Sequence, residues 1–231
     1  MEVKPQKCGR LEFMNREPFA EGELYHVYNH GVDEKNIFVD EYDSLRFLES
    51  LIFFNTEESL GGIYLSSLSD GNEIASSKPH KKLVNIVSYC LNPNHFHLLL
   101  EQISEKGISE YMQRVGGGYT MYFNNKYKRK GSLFRGTFKS TWVNSNEYLL
   151  YLSAYINLNY RVHKIPEAII SVVRSSWQEY TGVPKINVCK KDIISQQFKD
   201  QKEYEDYAKD ALPIMLERKI LEKELKYMTI D

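Results

Sequence analysis

Asn94-His95-Phe96-His97-Leu98-Leu99-Leu100 is dense enough in apolar residues to read as a buried strand. Side chains alternate along a strand, so the two histidines, separated by one residue, point to the same side. Both imidazoles can then reach one cation, and Pro93 stiffens the backbone just before them. The same pattern also fits two packed or solvent-facing histidines, so the rest of the chain has to decide.

The 231 residues suit one domain of ordinary core size, or one domain plus a helical appendage. At 42% hydrophobic residues a packed core is attainable, which excludes a globally disordered chain. A formal net charge of −1 gives no overall attraction to nucleic acid, so any such attraction must come from local clustering. Cys8, Cys90 and Cys189 are far apart and form no CxxC pair, which points to a reduced intracellular setting. The N-terminal stretch lacks the apolar core of a signal peptide, and no apolar run is long enough to span a bilayer. A cytoplasmic protein is expected.

Leu24 to Val32 reads as a first strand, closing on Gly31. Leu45, Leu48, Leu51 and Ile52 have helical spacing, which predicts a helix over Tyr42 to Asn55 with Asp40 as its cap. Ile63 to Leu68 is a second strand, and Ser69 to Lys82 a polar hairpin-type connection. Leu83 to Leu91 and His95 to Gln102 are the third and fourth strands, joined tightly through Asn92-Pro93-Asn94. A helix over Ser109 to Tyr127 contains Gly116-Gly117-Gly118, a costly run that predicts a kink, a hinge or a close backbone approach. Ser132 to Val143 is a fifth strand. Asn146 to Leu158 is an amphipathic helix capped at Asn144, Ser145 or Asn146, with Leu149, Leu152 and Ile156 as its apolar stripe. After Pro184 two charged helices follow, Asp192 to Ala211 and Pro213 to Met228. This order predicts an α+β fold, an antiparallel sheet with helices packed on one face. The domain is expected over 1–183, with a charged helical extension over 184–231.

Tyr151, Tyr155 and Asn159 fall four residues apart and share one helix face. Opposite the histidine pair, Tyr155 offers a phenol oxygen and Asn159 an amide oxygen. Two imidazoles plus one oxygen leave positions open on a cation, as a catalytic metal requires. A chain with 17 tyrosines also places some on helix faces by chance. Between Tyr111 and Asn146 there is no acidic residue, while Arg114, Lys126, Lys128, Arg129, Lys130, Arg135 and Lys139 all lie there. Tyr119, Tyr122, Phe123, Tyr127, Phe134, Phe138 and Trp142 are interleaved with them. Cations to track phosphates and aromatic faces to stack unpaired bases are what a single-strand binder needs.

The chain resembles the REP-associated tyrosine transposases, single-tyrosine members of the HUH (His, hydrophobic, His) nucleases. The resemblance runs from about Tyr25 to Gly182 and rests on six blocks in order. They are Tyr25 to Gly31, Asn92 to His97, Tyr122 to Asn124, Tyr127 to Phe134, Tyr155 to Asn159 and Ser175 to Tyr180. It implies a ferredoxin- or RRM-like nuclease core that cuts and rejoins single-stranded DNA beside a palindromic hairpin, without ATP. His95 and His97 then correspond to metal ligands, Tyr155 to the nucleophile that forms a 5′-phosphotyrosine, and Asn159 to the third ligand. The implied cofactor is Mg²⁺ or Mn²⁺, and the implied setting is the cytoplasm, at the nucleoid. Such proteins act as monomers or homodimers. Tyr160 stands where the family commonly has proline, and His30 where it often has arginine. Two other readings compete: a domesticated, catalytically weak binder of structured DNA or RNA, and a protein-interaction module whose histidines are structural.

Overall fold

A computed structural model describes residues 18–58, 81–184 and 186–228, apart from the side chains of 222–224 and 226–228. The strand expected over Ile63 to Leu68, and most of the connection after it, lie outside the described residues. The first strand, β1 (Leu24–His30), leads through a 3₁₀ turn to helix α1 (Glu41–Phe53). Asp40 caps α1 by accepting from the Asp43 N–H, and Asp43 returns the bond to the Asp40 N–H. Strands β2 (Val84–Asn92) and β3 (His95–Gln102) form a hairpin across Pro93-Asn94. Helix α2 (Gly107–Lys126) and strand β4 (Lys139–Trp142) follow. Then come α3 (Asn146–Asn157), α4 (Asn159–Val162), β5 (Arg174–Ser175), α5 (Trp177–Thr181), α6 (Asp192–Ser195) and α7 (Gln201–Met228).

The five strands form one antiparallel sheet in the order β4-β1-β3-β2-β5, with the His95–His97 strand at its centre. The α+β architecture is as expected, but the helices cover both faces of the sheet rather than one. Tyr25, Val27, Phe96, Leu98 and Leu100 pack toward α1 and α2. Leu24, Val87, Cys90 and Leu99 pack toward α3, α5 and α7. The reason is in the sequence of β3. Leu98-Leu99-Leu100 places apolar side chains on both faces, and a strand of that kind needs two covers.

Three local expectations are revised. Helix α2 runs unbroken through Gly116-Gly117-Gly118, and the close approach is made at Gly118 alone. A Cβ there would stand 2.8 Å from two ring carbons of Phe54, whereas one at Gly116 or Gly117 would meet nothing within 4 Å among the described residues. The strand expected over Ser132 to Val143 is confined to Lys139–Trp142. Gly131 and Gly136 both take positive φ (88° and 69°), which bends the backbone away from the sheet, and only Phe134 makes an isolated bridge to Gly31. Pro213 does not separate two helices, because α7 continues through it. Pro213 and Lys209 are both exposed, so the carbonyl deprived of its N–H partner lies on the water-facing side, while Met215 is anchored in the second core.

The segment after Pro184 shares that second core. Tyr204 of α7 is buried, and its hydroxyl meets Ser153 Oγ (3.2 Å) and Asn157 Nδ2 (2.8 Å) of α3. Among the described residues no helix is long and apolar enough to cross a membrane.

Candidate metal and tyrosine centre

Alternation along β1 and β3 sends His26, Tyr28, His30, His95 and His97 to one face, the face that carries α3 and α4. Antiparallel register sets His30 opposite His95 and Tyr28 opposite His97. The His95 and His97 rings lie 5.2 Å apart and nearly perpendicular (86°). His30 stacks on His95 at 4.9 Å, and His26 on His97 at 5.0 Å. Above them Leu158 ends α3 and starts α4, so the four-residue spacing continues across the joint from Tyr155 to Asn159 to His163. The His163 ring is 4.4 Å from that of His95. All five histidines among the described residues therefore converge here.

Hydrogen-bond partners assign the His95 tautomer. Nδ1 lies 2.7 Å from Asn94 Oδ1, which can only accept, so Nδ1 carries the proton. Nε2 then holds a lone pair, and the Asn92 amide donates to it at 2.9 Å. The same Asn92 amide donates to Asn159 Oδ1 at 2.7 Å, and that oxygen is 3.2 Å from His95 Nε2. Two acceptor atoms are thus held side by side, while Asn159 Nδ2 is buried without a hydrogen-bond partner among the described residues. On the other histidine of the pair, His97 Nδ1 meets His26 Nε2 at 2.8 Å. If His97 is the donor in that pair, its Nε2 is left as a lone pair.

Every one of these imidazoles is biased toward the neutral form. Burial, followed by the charge of His163, pulls His95 down to about 3, against the Asn159 amide oxygen beside it, which favours the protonated ring. Burial brings His26 down to about 4. Burial, then Lys219 and His30, bring His163 to about 4. His97 falls well below its ordinary value through burial and its histidine neighbours. Neutral imidazoles are the form that binds metal. Nitrogens of His95, His97 and His163 lie within 4.8 Å of one another. This donor set, with the Asn159 oxygen beside it, fits a divalent cation.

Tyr155 is partly buried and presents its ring edge-on to His97 at 5.7 Å (78°) and to His26 at 6.5 Å (82°). Tyr151, one turn earlier, lies under the Arg218 guanidinium of α7 at 5.2 Å. Of the two tyrosines singled out in the sequence, Tyr155 is thus the one that faces the histidines.

The basic window is only partly a surface. Arg114 is bound to Glu110 and to the carbonyls of Thr56 and Glu58. Lys126 holds Asp40 (2.7 Å) and the fully buried Asp43 (2.8 Å). Arg135 lies 3.5 Å from Glu34. The window has no acids of its own, but acids from elsewhere in the chain reach it. Lys128, Arg129, Lys130 and Lys139 make no ion pair among the described residues; Arg129 also lies over the Phe123 ring. Most of the interleaved aromatics are structural: Tyr119, Phe123 and Phe134 are buried, and the Tyr119 hydroxyl donates to the Ile37 carbonyl. Trp142, half exposed on edge strand β4, is the exception.

His163 and His26 escaped the sequence reading. The signal for His163 was its place four residues beyond Asn159. The signal for His26 was a second His-x-x-x-His series, His26 and His30, on a strand whose alternation matches that of β3.

Residues 67–159 match the family model of IS200-like transposases. The IS200-like segment takes in the histidine pair, the basic window, Tyr155 and Asn159, and stops short of His163. Among solved structures, the chain is similar to a REP-associated tyrosine transposase bound to a REP hairpin. The two share 13% identity over 64% of this chain and 72% of the other, with a TM-score of 0.40. No curated protein matches the chain significantly.

Proposed function

We propose that this chain is a metal-dependent single-stranded DNA endonuclease and strand transferase that works beside DNA hairpins through Tyr155. The observation that carries the reading is the edge-on placement of Tyr155 against His97, across from the His95–His97 pair. The match to IS200-like transposases supports it over the same residues. His95 and His97 hold the ion through imidazole nitrogens, with Asn159 Oδ1 beside them; the family resemblance implies Mg²⁺ or Mn²⁺. When bound, a divalent ion neutralises charge on the scissile phosphate and on the departing oxygen.

The residues of the chain do the rest. The Tyr155 phenol oxygen attacks the phosphorus and gives up its proton to solvent. A bond from phosphorus to the tyrosine oxygen forms and the bond to the 3′ oxygen breaks. That oxygen takes a proton and leaves as a free 3′-OH, while the 5′-phosphate stays on Tyr155. Attack by a 3′-OH reverses the step, so rejoining needs no ATP. Lys128, Arg129, Lys130 and Lys139 track the DNA backbone, with Arg135 at the rim. Arg114 and Lys126, tied to carboxylates, contribute through the fold. The nuclease unit spans residues 1–183; the extension over 184–231 braces the tyrosine helix. The family resemblance implies a setting in the cytoplasm, at the nucleoid, and action as a monomer or homodimer.

The test is incubation with labelled single-stranded DNA hairpins from the genomic neighbourhood, with Mn²⁺, Mg²⁺ or EDTA, read on a denaturing gel. A metal-dependent protein–DNA adduct is expected, absent in Tyr155→Phe. The cationic residues of the 128–139 stretch do not depend on Tyr155, which favours a second reading, a catalytically weak binder of structured DNA or RNA. Retarded DNA without any adduct supports that reading instead.

A further inference from the structure

We infer that His163 is a third imidazole ligand, so that the centre prefers a transition-metal ion of the Zn²⁺ or Co²⁺ kind over Mg²⁺. This rests on the reading of His95 and His97 as ligands. Three observations carry it. His163 approaches His95 more closely, at 4.4 Å between ring centroids, than His95 approaches His97 at 5.2 Å. Its nitrogen belongs to the group lying within 4.8 Å of one another, close enough for modest side-chain movement to bring all three to one ion. And its position is built: the His163 N–H bonds to the Asn159 carbonyl at 2.9 Å, continuing the helical turn beyond the α3–α4 joint.

Chemistry then sets the preference. Mg²⁺ is a hard ion that favours oxygen ligands and keeps its waters. Two imidazoles and an amide oxygen already depart from that, and a third imidazole moves the donor set to the kind that suits Zn²⁺, Co²⁺ or Ni²⁺. Asn159 Oδ1 remains beside His95 as the oxygen donor.

The experiment is a metal titration of the full chain without DNA. Metal-free protein, His163→Ala, His163→Gln and His95→Ala are titrated with Zn²⁺ and with Mg²⁺ by calorimetry, and with Co²⁺ by visible absorption. Circular dichroism verifies folding, and His163→Gln keeps the side-chain volume. The wild type is expected to bind Zn²⁺ at one site far more tightly than Mg²⁺. Both His163 variants should lose about 100-fold in Zn²⁺ affinity, at least what removal of an outer-shell partner costs, with altered Co²⁺ absorption. Wild-type Zn²⁺ affinity retained in both His163 variants but lost in His95→Ala overturns the inference alone. No binding of any ion to the wild type overturns it together with the metal reading of His95 and His97.

Discussion

His26 Nε2 lies 2.8 Å from His97 Nδ1, and both side chains are buried. The contact crosses from β1 to β3 and fixes the plane of the His97 ring, which a metal ligand needs in order to aim its other nitrogen. His26→Phe keeps a flat aromatic ring, somewhat larger than imidazole, and removes the hydrogen bond. Divalent-ion affinity should fall about 10- to 100-fold while the fold survives. Calorimetry on the variant checks it, and unchanged affinity would remove His26 from the site.

Tyr155→Phe should abolish the covalent adduct and leave hairpin binding intact, because it removes only the oxygen proposed as the nucleophile. Tyr151→Phe should leave the adduct in place, since Tyr151 sits under Arg218 and away from the histidines. Denaturing and native gels run on both variants separate the roles. An adduct that persists in Tyr155→Phe transfers the nucleophile to another residue.

Binding by the cationic stretch should show in salt dependence. Replacing Lys128, Lys130 or Lys139 by Gln should each flatten the slope of log affinity against log salt by about 0.7, the single-strand value per phosphate contact. Arg114→Gln should leave the slope alone, because that guanidinium is spent on Glu110 and two carbonyls. Fluorescence anisotropy at several salt concentrations reads the difference.

Asp43 is a fully buried carboxylate that accepts from the Val39 N–H and from the hydroxyls of Tyr122 and Tyr127, and pairs with Lys126. Asp43→Ala should cost about 2–3 kcal/mol in urea unfolding, from the lost return bond of the capping box and the stranded donors. Its neighbour Asp40 is pushed upward by burial, but the Lys126 hydrogen bond and the Asp43 N–H outweigh this and hold it below its ordinary value of 3.8. A lowered carboxylate stabilises the fold above its ordinary value, and that contribution is lost as pH falls through the lowered one. Lys126→Met should therefore begin acid unfolding at a higher pH than the wild type, measured by circular dichroism.

The glycine run offers a stability test. Gly116→Ala and Gly117→Ala meet nothing within 4 Å and should each stabilise by about 0.5–1 kcal/mol. Gly118→Ala meets the Phe54 ring at 2.8 Å and should forfeit that gain. Thermal unfolding of the three variants decides it.

Features carried by a single element were legible in the sequence. The apolar density of β3 marked the strand, strand alternation then set the shared direction of His95 and His97, and the Asp40 cap and leucine spacing marked α1. What escaped depends on elements far apart in the chain. Lys126 looks like a free surface cation until α1 brings Asp40 and Asp43 to it. Tyr119 and Phe123 look like base-stacking rings until α2 turns them onto the sheet. His163 was hidden because the spacing that places it crosses a helix end at Leu158. Pro213 read as a helix end because local preference says so, and packing of Met215 against the second core overrides it.

The hydroxyl of Tyr204, held by Ser153 and Asn157, fastens the tyrosine helix to the carboxyl-terminal helix of the same chain. Swapping the tyrosine helix with a second copy would have to open this buried seam first. Any displacement of α3 from its place over the histidines would therefore carry α7 with it, or leave the buried Tyr204 hydroxyl without these two partners.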